Sequence, residues 1–157
     1  MAGLAPNFEV PHLPEARIAI ISARWHREIC QSMVKGAMRA LEKAGISAPE
    51  LVEVAGSFEL PLAAKIALDS GLDAAIVLGV VVRGETPHFD YVCQGVTDGI
   101  MQLTLESGKP IGFGVLTVDT VEQALARSGI PGSKEDKGYD SAIAALDLLQ
   151  IRKRYSK

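Results

Sequence analysis

Residues Ile76 to Tyr91 read IVLGVVVRGETPHFDY, and the change of character after Val82 decides how the chain folds. Ile76 to Val82 are apolar apart from Gly79 and rich in β-branched side chains. A run that is apolar on both faces predicts a strand covered on two sides, as in a parallel sheet between helices. Arg83, Gly84, Glu85, Thr86, Pro87 and His88 then replace it with polar and turn-forming residues. Thr86 followed by Pro87 predicts a helix start, a capping hydroxyl before a proline whose missing N–H costs nothing there. Such a turn aims free N–H groups and the positive end of a helix dipole at one spot beyond the strand's carboxyl end, which suits phosphate. His88, one residue into the helix, adds the side-chain type best able to exchange protons near neutral pH. Taken alone, the turn also reads as an ordinary capped connection with a surface histidine.

Outward from this stretch, strands and helices alternate. Arg17 to Ala23 is a buried strand, followed by the turn Arg24-Trp25-His26 and a helix over Glu28–Ala44 that Gly45 closes. Leu51 to Ala55 is the second strand, and Gly56 to Leu60 leads into a short helix over Pro61–Asp69. The helix after Ile76–Val82 runs from Pro87 to Glu106, and Ile111 to Val118 is the fourth strand. Thr120 with Gln123 has capping-box spacing and predicts a helix over Val121–Arg127. Ser128 to Lys137 is a polar loop, and a last helix covers Tyr139–Ile151. Ahead of all this, Pro6, Pro11 and Pro14 make residues 1–15 an extended arm, for which a neighbouring subunit is a candidate support. Four strands and five helices in this order predict a three-layer α/β/α sandwich with a four-stranded parallel sheet.

The 157 residues suit one domain spanning 1–157. A net charge of −3 argues against nucleic acid as a partner. No basic segment leads into a long apolar run and no stretch approaches a membrane span, so a cytoplasmic protein without a membrane partner is expected. Cys30 and Cys93 lack CxxC spacing and read as reduced thiols, and His12, His26 and His88 form no plausible metal set. No glycine-rich dinucleotide fingerprint, P-loop or nucleophile elbow is present.

Ligands of such sheets bind beyond the carboxyl ends of the strands. Trp25, Phe58 with Glu59, and Arg83 to His88 all fall there. A planar heterocycle can stack on Trp25 or Phe58, a hydroxylated chain can meet Glu59, and a phosphate can sit at the turn. Each residue has a plainer reading: Trp25 shielding a helix start, Phe58 packing in the core, Glu59 favouring a helix dipole.

Taken jointly, WHREIC, VAGSFELP, LGVVVRGETPHFDYVC, FGVLT, EQALAR and KGYD resemble segments of lumazine synthases, in order and spacing, across nearly the whole chain. The resemblance implies a flavodoxin-like fold and a transferase of riboflavin biosynthesis. The implied reaction condenses 5-amino-6-(D-ribitylamino)uracil with 3,4-dihydroxy-2-butanone 4-phosphate to 6,7-dimethyl-8-ribityllumazine, releasing phosphate and water, without metal or organic cofactor. By motif, Trp25 would stack on the pyrimidine, Val81 and Val82 would line it, and Ser57, Phe58 and Glu59 would hold the ribityl chain. Glu85 and Thr86 would bind phosphate through backbone N–H groups, and His88 would move protons. Phe113, Arg127 and Lys137 would enter from an adjacent subunit, with Arg127 on the phosphate. A homo-oligomer follows, a pentamer first: SGIPGSKEDKG is about two residues longer than the linkers of shell-forming relatives and carries Pro131, which disfavours packing of rings into a shell. Two alternatives are a riboflavin synthase of the same fold and a non-catalytic flavin-binding or shell-forming scaffold. The complete RGETPH turn with Arg127 disfavours the first, and His88, Arg127 and Lys137 disfavour the second.

Overall fold

In the computed structural model, which describes residues 6–156, the two apolar periodicities of the sequence settle into one parallel sheet and its covering helices. The strands are β1 (Ile18–Ala23), β2 (Glu50–Val54), β3 (Ala74–Val82) and β4 (Ile111–Val118), ordered β2-β1-β3-β4 and parallel throughout. The helices are α1 (Arg27–Lys43), α2 (Leu60–Asp69), α3 (His88–Ser107), α4 (Val121–Leu125) and α5 (Lys137–Tyr155). This is the expected three-layer, flavodoxin-like architecture.

Period-two alternation sorts the strand side chains into two cores. Ile18 and Ile20 of β1 and Ile76, Leu78 and Val80 of β3 point toward α1, α4 and α5, packing on Met33, Ala124 and Leu146. Ala19, Ile21, Ala75 and Val77 point the other way, onto Leu60 and Leu68 of α2 and Val96 and Ile100 of α3. The central strands therefore show no polar face, which is why their sequence reads as unbroken apolar runs. The edge strand β2 differs, with Leu51 58% and Val52 37% exposed.

Several boundaries moved, each for a local reason. Thr86 is not the cap of α3: Pro87 holds that position, its carbonyl accepting from Asp90 at 2.9 Å, while the Thr86 hydroxyl meets only the His88 N–H, at 3.4 Å. Thr120 does cap α4, accepting from the Gln123 N–H at 3.3 Å, but Gln123 reaches back one residue further than a capping box requires, to Asp119. That helix stops at Leu125, short of Arg127, because the Ala126 carbonyl is taken by Lys134 and Glu135 and the Arg127 carbonyl by Lys137. The segment read as a loop over Ser128–Lys137 is thus a tied turn, and Asp136 caps α5 two residues earlier than expected by accepting from Tyr139 at 3.0 Å. The short helix is preceded by an unexpected 3₁₀ turn at Ser57–Glu59.

The arm was expected over residues 1–15; its first five residues lie outside the described residues. Its inner part rests on its own chain, Leu13 buried and donating its N–H to Ala44 at 2.8 Å, whereas Phe8 is 50% exposed. No helix among the described residues is long and apolar enough to cross a membrane.

Candidate active site

After β1 the chain turns toward the α1 face, and after β3 it turns toward the α3 face, so the two central strands part at their carboxyl ends. The crevice of a doubly wound sheet forms at such a switch point. A cavity of about 630 Å³ opens there. Seven of the expected residues line it: Trp25 after β1, Ser57, Phe58 and Glu59 on the 3₁₀ turn, Val81 and Val82 at the end of β3, and His88 at the head of α3.

Close backbone approach builds the aromatic walls. Trp25 lies over Gly56, where an added Cβ would come within 3.2 Å of the indole, and Phe58 lies over Gly95 of α3, where it would come within 2.8 Å. Both rings remain largely exposed, Trp25 69% and Phe58 61%. Two large aromatics left in water across a concave site suit a planar guest. Glu59 is held by the Gly56 N–H, which donates to its Oε2 at 2.9 Å. The Ser57 hydroxyl is enclosed and has no hydrogen-bond partner among the described residues.

Glu85 and Thr86 sit in the exposed turn beside the cavity without lining it. Among the described residues the backbone N–H groups of Gly84, Glu85 and Thr86 make no hydrogen bond, the condition an anion-receiving turn requires. Phe113, Arg127 and Lys137 are not brought to the cavity. Phe113 is 41% exposed on the edge strand β4. Arg127 donates to the Gln123 carbonyl at 2.8 Å and lines a separate cavity of about 290 Å³ with Lys134 and Glu135. Lys137 lies 3.1 Å from Glu135 and 3.3 Å from Asp140. Burial pulls its ammonium down, but these two carboxylates outweigh it and the group titrates above its ordinary value.

Sequence reasoning missed His26, Gly56, Val80, Tyr91 and Val92 in the lining. Tyr91 was detectable, since it stands one helical turn beyond His88. Val80 lies two before Val82, on the same side of the strand. His26 gave no such signal: its left-handed backbone, φ 53°, is set by the way α1 begins.

Fold and crevice together define a doubly wound α/β protein whose small-molecule site lies at the switch point between its central strands. The sequence profile of 6,7-dimethyl-8-ribityllumazine synthase matches residues 15–153. A 6,7-dimethyl-8-ribityllumazine synthase of Streptomyces coelicolor is 54% identical over 142 residues, covering 90% of this chain and 88% of the relative. One from Frankia casuarinae is 52% identical over 153 residues, covering 96% and 95%, and one from Pseudarthrobacter chlorophenolicus is 48% identical over 157, covering 97% of each. The chain belongs to the 6,7-dimethyl-8-ribityllumazine synthase family.

Proposed function

We propose that this chain condenses 5-amino-6-(D-ribitylamino)uracil with 3,4-dihydroxy-2-butanone 4-phosphate to 6,7-dimethyl-8-ribityllumazine, releasing phosphate and water, as a transferase of riboflavin biosynthesis. The observation that carries this reading is the gathering of seven motif residues around one cavity in a chain of this family. Trp25 and Val81 with Val82 sandwich the pyrimidine, and Ser57, Phe58 and Glu59 take the ribityl chain. The turn at Glu85 and Thr86 receives the phosphate on backbone N–H groups. The 5-amino group adds to the ketone and a first water leaves to give the imine; phosphate is eliminated to an enol that tautomerises to a carbonyl, and the ribitylamino nitrogen closes onto that carbonyl with loss of a second water. His88 moves protons in these steps. Holding amine and ketone together supplies much of the acceleration, which is why no activated nucleophile is needed.

Among the described residues the cavity lining contains no lysine or arginine. A phosphate in this site therefore needs a cation from elsewhere, and Arg127, with Phe113 and Lys137, serves the cavity of the next subunit. This makes the working form a homo-oligomer, a pentamer as the length of the SGIPGSKEDKG linker favours. One domain over 1–157 suffices for it. The unpaired thiols of Cys30 and Cys93 suit the reducing cytoplasm. Incubating the protein with both substrates while following lumazine fluorescence and released phosphate is the direct test. Both signals are expected to rise together, and absence of both overturns the assignment.

A further inference from the structure

The turn that would receive the phosphate is held by almost nothing of its own. Arg83 to His88 are all exposed, a Cβ on Gly84 would meet nothing within 4 Å, and the Thr86 hydroxyl makes a single long contact. Packing therefore cannot fix the direction of its N–H groups. Its two ends are fixed: the Arg83 N–H donates to the Val118 carbonyl at 2.9 Å, and Phe89 is buried. One side chain joins those ends. The Arg83 guanidinium donates from Nε to Asp119 at 2.7 Å, just past β4, and from Nη1 to Asp90 at 3.4 Å, in the first turn of α3. Between them it lies over the Phe89 ring, 4.3 Å from its centre.

We propose that Arg83 is a positioning residue for the phosphorylated substrate: with Asp119, Asp90 and Phe89 it forms a clasp that holds the Gly84–Pro87 turn open toward its anion. The inference rests on the function proposed above. Arg83 does not bind the phosphate itself, because two carboxylates already occupy its donors and leave the group with no surplus positive charge. Asp119 is held in turn, its N–H donating to the Gln123 side chain at 2.8 Å. Lysine cannot replace the clasp, since a single ammonium lacks the planar fork that reaches two carboxylates while stacking on a ring. Exposed ion pairs contribute little to global stability. Removing this one should therefore separate function from folding.

The variants Arg83→Ala, Arg83→Lys and Asp119→Ala test it. In each, KM for the butanone phosphate should rise about tenfold, because a turn displaced by a fraction of its width loses aligned donors. KM for the ribitylaminouracil and the thermal midpoint should stay near wild type. The double variant Arg83→Ala/Asp119→Ala should be no worse than Arg83→Ala alone, as expected for partners in one interaction. Titration of inorganic phosphate gives a readout that does not need turnover: wild type should bind it more tightly than Arg83→Ala. Unchanged KM values, equal rises for both substrates, or equal phosphate affinity in the two proteins each overturn the clasp. A wild type that makes no lumazine overturns the proposed function instead, and the phosphate titration then decides the clasp alone; no phosphate binding by wild type also overturns it.

Discussion

At the floor of the cavity the Ser57 hydroxyl is packed against β3, and a Cβ on Gly79 would collide with it. Gly79→Ala should therefore displace Ser57 and Leu60, costing about 1–3 kcal/mol of stability through overpacking. It should also raise KM for the ribitylaminouracil more than for the butanone phosphate; paired denaturation and kinetic measurements check both. His88 is exposed at the head of α3, so His88→Ala should fold normally while kcat falls about 10²- to 10⁴-fold. The smaller figure applies if proximity carries most of the rate. A wild-type rate at every pH would remove His88 from the mechanism. Cys30 behaves differently. Burial pushes its thiol up to about 11, the Ser22 hydroxyl opposing only in part. The folded value lies above the unfolded one, so the stabilisation is whole below about pH 8.5 and is lost as pH rises toward the folded value. The unfolding free energy of wild type should fall over that interval by on the order of 3 kcal/mol more than that of Cys30→Ala. Parallel curves for the two proteins would count against it.

Among the elements, the junction of α1, the tied turn and α5 depends on Asp136. Its carboxylate accepts from the Tyr139 N–H at 3.0 Å and pairs with Arg39 of α1, while the turn before it is pinned through Ala126 and Arg127. One side chain thus caps a helix and ties it to a distant one. Asp136→Ala should cost about 2 kcal/mol, the sum of a lost cap and a lost charge-assisted bond. Asp136→Asn keeps an acceptor for the cap and should cost less than half of that; urea midpoints distinguish them. Because Lys137 is the next residue, the alanine variant should also weaken whatever that lysine does for a neighbouring site.

At the scale of the molecule, the large cavity is lined by no lysine or arginine among the described residues, while Arg127 lines a separate cavity. If one chain's Arg127 completes the next chain's cavity, Arg127→Ala should raise KM for the butanone phosphate by about ten- to a hundredfold and leave the ribitylaminouracil unaffected. Mixing unfolded His88→Ala and Arg127→Ala chains and refolding them together should then give, at butanone phosphate well below the raised KM, more activity than the average of the two variants refolded separately, since some interfaces pair an intact cavity with an intact arginine. No recovery, or an active monomer by light scattering, would refute the shared site. A scattering mass of about five chains supports the free ring, and about sixty would refute the linker argument.

The sequence by itself determined the layers. Two-sided apolar strands such as Ile76–Val82, alternating with helical stripes, leave a parallel sheet covered on both faces as the only way to bury both sets. It also placed Trp25, Ser57–Glu59 and His88 at the carboxyl ends of strands, because each follows a strand directly. Tertiary structure alone decided what depends on contacts between distant segments. The SGIPGSKEDK segment is a tied turn because Ala126 and Arg127 offer it carbonyls. His26 reaches the cavity because the connections after β1 and β3 leave the sheet on opposite faces there. Phe113, Arg127 and Lys137, grouped by motif with the rest, stand apart from the cavity in one chain. Local pattern fixes which face a side chain takes within its element, but only the packing of elements fixes which faces meet.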